Sequence, residues 1–153
     1  MSGFRRGVRL GVDVGKARVG VARCDRDGLL AVPVETVPRS PEAPARIAAL
    51  AAEHEAVEVL VGLPIGLSGH ETASTADARA FAAEVHAASG LPVRLVDERL
   101  STVSAHSALR NAGRSQRSSR SIVDQVAAVV LLQQAIDVEK STGHPTGTLL
   151  TSP

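Results

Sequence analysis

Apolar residues alternate with small or polar ones from Val8 to Ala22, VRLGVDVGKARVGVA. Leu10, Val12 and Val14 interleave with Gly11, Asp13 and Gly15, the period of two that marks a strand. After the Gly15-Lys16 turn the alternation resumes over about 18–23, a second strand. Asp25-Arg26-Asp27-Gly28 is a hairpin signal, and Leu29 to Val37 predicts a third strand. Pro33 inside it has no N–H to give a ladder, so this strand lies at an edge or is bulged there. Three strands joined by tight connections predict an antiparallel meander.

Beyond the Pro-rich loop 39–44 the period lengthens. Pro44 to Glu55 places Ile47, Leu50 and Ala51 on one helical face. Val57 to Gly62 is a short apolar run, as in a buried parallel strand. Leu63 to Glu71 is a loop with Pro64, Gly66 and Gly69. Thr72 to Ser89 predicts a helix anchored by Phe81 and Val85 and ended by Gly90. Pro92 to Asp97 is another strand. Ser101 is placed as N-cap of a helix running to about Asn111 and ended by Gly113. Gly113 to Arg120 is polar and predicted flexible. Ser121 to Lys140 is a last helix, apolar nearly all round through Val126–Leu132 and so expected at the centre of the fold.

The order βββ, α, β, α, β, α, α implies an α/β fold. Its sheet would have five strands, three antiparallel and then two parallel, with helices on both faces. One domain over 8–140 is expected. Residues 1–7 are predicted to be a disordered basic lead-in and 141–153 a disordered tail.

At 153 residues the chain is long enough to bury a core. With no Trp or Tyr and two Phe (Phe4 and Phe81), that core must be aliphatic, and base stacking on aromatic platforms is excluded as a binding mode. A net charge of +1 argues neither for nor against a polyanionic partner. Its distribution says more: from Arg99 to Val123 there is no acid, but there are Arg99, Arg110, Arg114, Arg117 and Arg120. Arginine suits bidentate phosphate contacts, although the chain prefers Arg to Lys throughout. The lone Cys24 makes no internal disulfide, as expected of a cytoplasmic protein; it is read as an unremarkable small residue rather than an intermolecular link. No CxxC or His cluster suggests zinc, and His70 reads as an exposed loop residue. No run approaches a membrane span, and the N-terminus lacks the apolar stretch of a signal peptide.

Asp13 is the anomaly, a carboxylate in the middle of a strand at the heart of a small domain. A metal cation would compensate it; so would Lys16 or Arg18. In open α/β sheets functional groups gather at strand ends. Two further acids sit at such places: Glu98, where the last strand exits, and Asp124, at the start of the apolar helix. Asp97 is the runner-up to Glu98, with alternation turning it to the opposite face. Ser121-x-x-Asp124 also fits a capping box. Three converging carboxylates repel unless cations neutralise them, and oxygen donors favour Mg²⁺ or Mn²⁺.

Four segments in this order and spacing, GVDVGKARVGVA, VGLPIGLSGHE, VDERLST and SIVDQVAAVVLLQQAID, resemble the signatures of the YqgF/RuvX family. The Arg- and Ala-rich character resembles its actinobacterial members. Such proteins are described as Holliday junction resolvases and as nucleases maturing the ends of pre-16S rRNA. The resemblance covers about residues 8–138. It implies an RNase H-like fold, catalytic and metal-binding acids at Asp13, Glu98 and Asp124, and two Mg²⁺ or Mn²⁺ ions. Lys16, Arg99, Arg114, Arg117 and Arg120 would then contact nucleic acid, and a loop with Gly66, Ser68 and Gly69 would close over substrate. The leading function is a metal-dependent nuclease on structured RNA. The alternatives are a dimeric DNA junction resolvase and a non-catalytic RNA-binding module, so pre-rRNA or branched DNA is the expected partner, taken by a monomer or a homodimer. DxGxxxxGVA also resembles the phosphate loop of actin-like ATPases, but one domain of this length is too short for them.

Overall fold

The computed structural model describes residues 4–65, 68–97 and 116–150, with side chains from 125 onward in the last segment. The meander forms as the alternation requires: β1 (Val8–Val14) pairs antiparallel with β2 (Arg18–Cys24), and β2 with β3 (Ala31–Pro38). Strand β1 also pairs parallel with β4 (Ala56–Leu63), which pairs parallel with β5 (Val93–Asp97). A sixth strand, β6 (Thr148–Leu149), runs antiparallel to β5, and the sheet order is β3-β2-β1-β4-β5-β6.

Helices α1 (Ala43–Glu53) and α2 (Ala73–Ser89) lie on one face, and α3 (Gln116–Thr142) covers the other. Leu10, Val12, Val59, Val61, Val93 and Leu95 point into the α1/α2 core with Ile47, Leu50 and Phe81. Ala22, Leu60 and Val96 point toward α3, against Ala128, Leu131, Leu132 and Ile136. Gly11 lies on the α3 side of β1. A Cβ there would come within 2.8 Å of the Leu132 Cβ and 2.9 Å of the Ala128 carbonyl, so glycine is what lets the helix sit directly on the strand.

Several boundaries differ from the sequence reading, each for a local reason. Strand β3 starts at Ala31 and not Leu29, because the Asp25 carboxylate captures the Leu29 and Leu30 N–H groups at 2.8 and 2.9 Å. Those leucines are 72% and 62% exposed. Pro33 does lie on an edge strand, beside a register shift between Val21 and Ala22. Helix α2 begins with a Thr72–Thr75 capping box and stops at Gly90 in the left-handed region (φ 71°).

Helix α3 starts at Gln116, so Ser121 does not cap it, and Arg117 and Arg120 occupy helical positions rather than a flexible strip. Gln and Arg are good helix formers, and no Gly or Pro interrupts 116–142. The helix predicted over 101–111 lies outside the described residues.

Neither terminus behaves as expected. The tail supplies β6, and the Leu150 N–H donates to the Val93 carbonyl at 2.8 Å. The outer edge of β5 needs a ladder partner, and main-chain pairing makes little demand on composition. At the other terminus, the Arg5 guanidinium bonds Glu139 (2.7 Å) and Glu58 (3.1 Å), and Phe4 lies under Arg9 with 4.4 Å from Cζ to the ring centroid. Glu58 and Glu139 are buried, and buried carboxylates recruit cations.

Candidate active site

Asp13 is half-buried near the C-terminal end of β1. It shares the parity of Gly11 and so belongs to the α3 face. Its cross-strand partner is Gly20, and Gly20 pairs with Thr36 on β3. Residues paired in this way share a face. Gln125 of α3 reaches this row: its Nε2 donates to Thr36 Oγ1 at 2.7 Å.

On the parallel side, Val12, Val61 and Leu95 form one row. The next residues of the three strands are Asp13, Gly62 and Val96, and Val96 packs toward α3. The C-terminal ends of three strands therefore gather beside Asp13, where an open α/β sheet places its ligands. Asp97 pairs with Leu63, which packs in the α1/α2 core, and has the parity of Leu95. It belongs to the face opposite Asp13.

Lys16 is exposed at the turn that follows β1. Arg39, which sequence reasoning passed over, pins that turn. Its Nη1 donates to the Gly15 carbonyl (2.9 Å) and to Asp77 Oδ2 (2.9 Å), and its Nη2 to Asp77 Oδ1 (2.8 Å). The Arg39 hydrogen bond holds the Asp77 carboxyl below the usual range, and the Lys16 charge adds to this. Hydrogen bonding to Asp77 in turn raises the Arg39 guanidinium. The only sequence signal for this arrangement was Asp77–Phe81, an i, i+4 pair on α2.

The loop after β4 is closed by an antiparallel bridge between Ile65 and Glu71, and by the Thr75 hydroxyl donating to the Pro64 carbonyl. Ser68, Gly69 and His70 are exposed on it. Glu71 pairs with Arg79 at 2.6 Å, which holds its carboxyl low. Gly66, Glu98, Arg99, Ser101, Arg110 and Arg114 lie outside the described residues, as do the side chains of Arg117, Arg120 and Asp124. Among the described residues no three His, Cys, Asp or Glu side chains gather as metal ligands, and no helix is long and apolar enough to cross a membrane. Cys24 is wholly buried, which precludes an intermolecular link in the folded chain, and burial pushes its thiol up.

The sequence model of RuvX, described as Holliday junction resolvase, matches residues 7–138. The chain belongs to the RuvX family. Relatives of the chain carry the name "Putative pre-16S rRNA nuclease", among them three from actinobacteria. The one from Clavibacter michiganensis subsp. michiganensis is 56% identical over 150 residues, 96% of this chain and 93% of its own. The one from Leifsonia xyli subsp. xyli is 57% identical over 94% of each chain. The one from Streptomyces coelicolor is 52% identical over 94% of this chain and 88% of its own.

Among solved structures, Thermus thermophilus RuvC in complex with a Holliday junction substrate superposes with a TM-score of 0.56 at 19% identity. That superposition covers 94% of this chain and 99% of RuvC. A second T. thermophilus RuvC structure gives 0.54 at 18%. The RNase H-like fold expected of a RuvX member is therefore present, with six strands in place of five.

Proposed function

We propose that the chain is a divalent-metal-dependent nuclease that cleaves phosphodiester bonds of structured RNA in the cytoplasm, with the ends of pre-16S rRNA as substrate. The observation that carries this reading is the Gln125–Thr36 hydrogen bond, because it brings the residue after Asp124 onto the sheet row of Asp13. The local register agrees. Ala128, whose carbonyl lies against Gly11, is one helical turn after Asp124, and Asp13 is two strand residues after Gly11. Strand and helix run antiparallel, since Arg9 of β1 bonds Glu139 at the far end of α3. Four helical residues advance about 6 Å and two strand residues about 6.6 Å, so positions 13 and 124 stay in step.

The donor set is all carboxylate oxygen, with no His or Cys, which fits a hard cation such as Mg²⁺ or Mn²⁺. Asp13, Glu98 and Asp124 would hold the metal. When bound, a pair of such ions neutralises phosphate charge and lowers the pKa of an attacking water. Lys16 donates to a phosphate oxygen at the turn after β1. Arg99, Arg114, Arg117 and Arg120 bind flanking phosphates, and the loop with Gly66, Ser68 and Gly69 offers main-chain N–H groups to the same backbone. With no aromatic residue to stack on bases at this edge, recognition rests on shape and backbone. The names of the relatives support the RNA substrate, and the family description keeps a DNA junction as the alternative.

The test incubates wild type and Asp13→Asn with a pre-16S rRNA fragment and a four-way DNA junction, in Mg²⁺, Mn²⁺ or EDTA. Metal-dependent cleavage of the RNA, abolished by Asp13→Asn, is the expected result. Cutting of the junction alone would transfer the reading to a resolvase. Binding without cleavage of either substrate would make the chain a binding module.

A further inference from the structure

The turn that carries Lys16 is closed by one backbone bond of its own, the Gly15 N–H donating to the Arg18 carbonyl at 2.8 Å. Val14 pairs with Val19, so the chain must reverse through Lys16 and Ala17. Two-residue hairpin loops match the twist of their strands best in primed turns, which need positive φ at one or both central residues. Among the described non-glycine residues only Glu55 has positive φ, so neither Lys16 nor Ala17 provides it. Arg39 adds the further support. Its backbone N–H donates to the Ala17 carbonyl at 2.9 Å and its Nη1 to the Gly15 carbonyl at 2.9 Å, one on each side of Lys16. The same guanidinium is fixed by the bidentate bond to Asp77 and lies over the Phe81 ring, 4.8 Å from its centroid. A planar fork stacked on a ring is an arrangement that lysine cannot reproduce. Lys16, Arg39 and Asp77 line an open groove of about 490 Å³ with Ala73 and Ser74.

We propose that Arg39 is a positioning residue for substrate: braced by Asp77 and Phe81 on α2, it holds the Gly15–Arg18 turn so that Lys16 meets the phosphate backbone beside Asp13. The proposal rests on the nucleic-acid reading of the site. It differs from a direct Arg39–phosphate contact in what substitution of its partners does. If Arg39 acted by charge alone, Arg39→Lys would preserve binding, and Asp77→Ala, which removes a negative charge from the groove, would tighten it. A positioning role predicts weaker binding in both cases.

The experiment measures the Kd of a fluorescein-labelled pre-16S rRNA fragment by anisotropy in EDTA, and KM and kcat with metal. The proteins are wild type, Arg39→Lys, Asp77→Ala, Lys16→Ala and the Lys16→Ala/Arg39→Lys double variant, each checked for an unchanged melting transition. The expected result is about tenfold weaker binding for Arg39→Lys and severalfold for Asp77→Ala, with KM rising more than kcat falls. In the Lys16→Ala background, Arg39→Lys should add less than about twofold, because the two residues act as one unit. Unchanged Kd for Arg39→Lys, tighter binding for Asp77→Ala, or full additivity with Lys16→Ala would each overturn the proposal. Coupled binding effects in a protein that never cleaves would refute the nuclease reading and leave the positioning role standing. Cleavage with additive effects would do the reverse.

Discussion

The two ends of β1 treat charge in opposite ways. At the N-terminal end Arg9 is 2% exposed, deeper than Asp13, and is closed in by Glu139 (3.2 Å), Glu58 (3.9 Å) and the Phe4 ring. Arg5 completes the cluster by bonding both glutamates, and Arg94 by bonding Glu58. Three guanidiniums and two carboxylates compensate one another to within one positive charge across β1, β4, β5, α3 and the N-terminal arm. Near the C-terminal end, Asp13 is half-buried where strands diverge, and Lys16 stands exposed beside an open groove. A charge inside a strand is therefore not by itself a sign of chemistry. What separates the two ends is burial: Arg9 is shut off from solvent, and Asp13 is not.

The largest expected effect comes from opening the closed end. Glu58→Gln leaves the buried Arg9 and the half-buried Arg94 without their shared counter-charge and should cost about 3–5 kcal/mol, read as a lower urea midpoint. Arg5→Ala tests the rim of the same cluster. Because Arg5 is 45% exposed, its loss should cost only about 1 kcal/mol, and a cost equal to that of Glu58→Gln would erase the distinction between core and rim.

Acid should unlock the same end. Burial acts to raise the Glu139 carboxyl, but hydrogen bonds from the Arg5 side chain and backbone, with the charge of Arg9, outweigh it and leave the group below its ordinary value. A depressed folded-state value contributes stability above the unfolded-state value of about 4.3 and loses it as pH falls through the folded one. Unfolding free energy should thus be flat near neutrality and fall below about pH 4.3, with a shallower fall in Glu139→Gln. The smallest effect concerns Cys24: wholly buried, it should react with a thiol reagent only as fast as the chain opens, and a rate matching that of a free thiol would contradict its burial.

The contrast also explains what was legible in the sequence. The order of elements from β1 to β5, the Gly90 cap and the edge position of β3 follow from local periods and from residues with one conformational use. Asp13 stood out because its neighbours alternate cleanly. Arg9 stands two residues from Gly11 in the same strand and did not stand out, since its partners are 49 and 130 positions away at Glu58 and Glu139. Strand β6 and the N-terminal arm were hidden for the same reason: each is ordered by a distant edge or charge and not by its own composition. The start of α3 was misplaced because a Ser- and Arg-rich run reads as a loop until propensity is weighed against the absence of Gly and Pro. Arg39 was passed over because it sits in a Pro-rich connection, and its partners come together only when α2 docks.

The most direct test of the account measures two quantities on two variants, cleavage of a pre-16S rRNA fragment and unfolding free energy in urea, for Asp13→Asn and Glu58→Gln. The account predicts a double dissociation. Asp13→Asn should lose cleavage by about 10³-fold or more while keeping its stability. Glu58→Gln should lose stability while cleaving at a temperature where it remains folded. Cleavage surviving in Asp13→Asn, or abolished in folded Glu58→Gln, would contradict the assignment of chemistry to one end of β1 and architecture to the other.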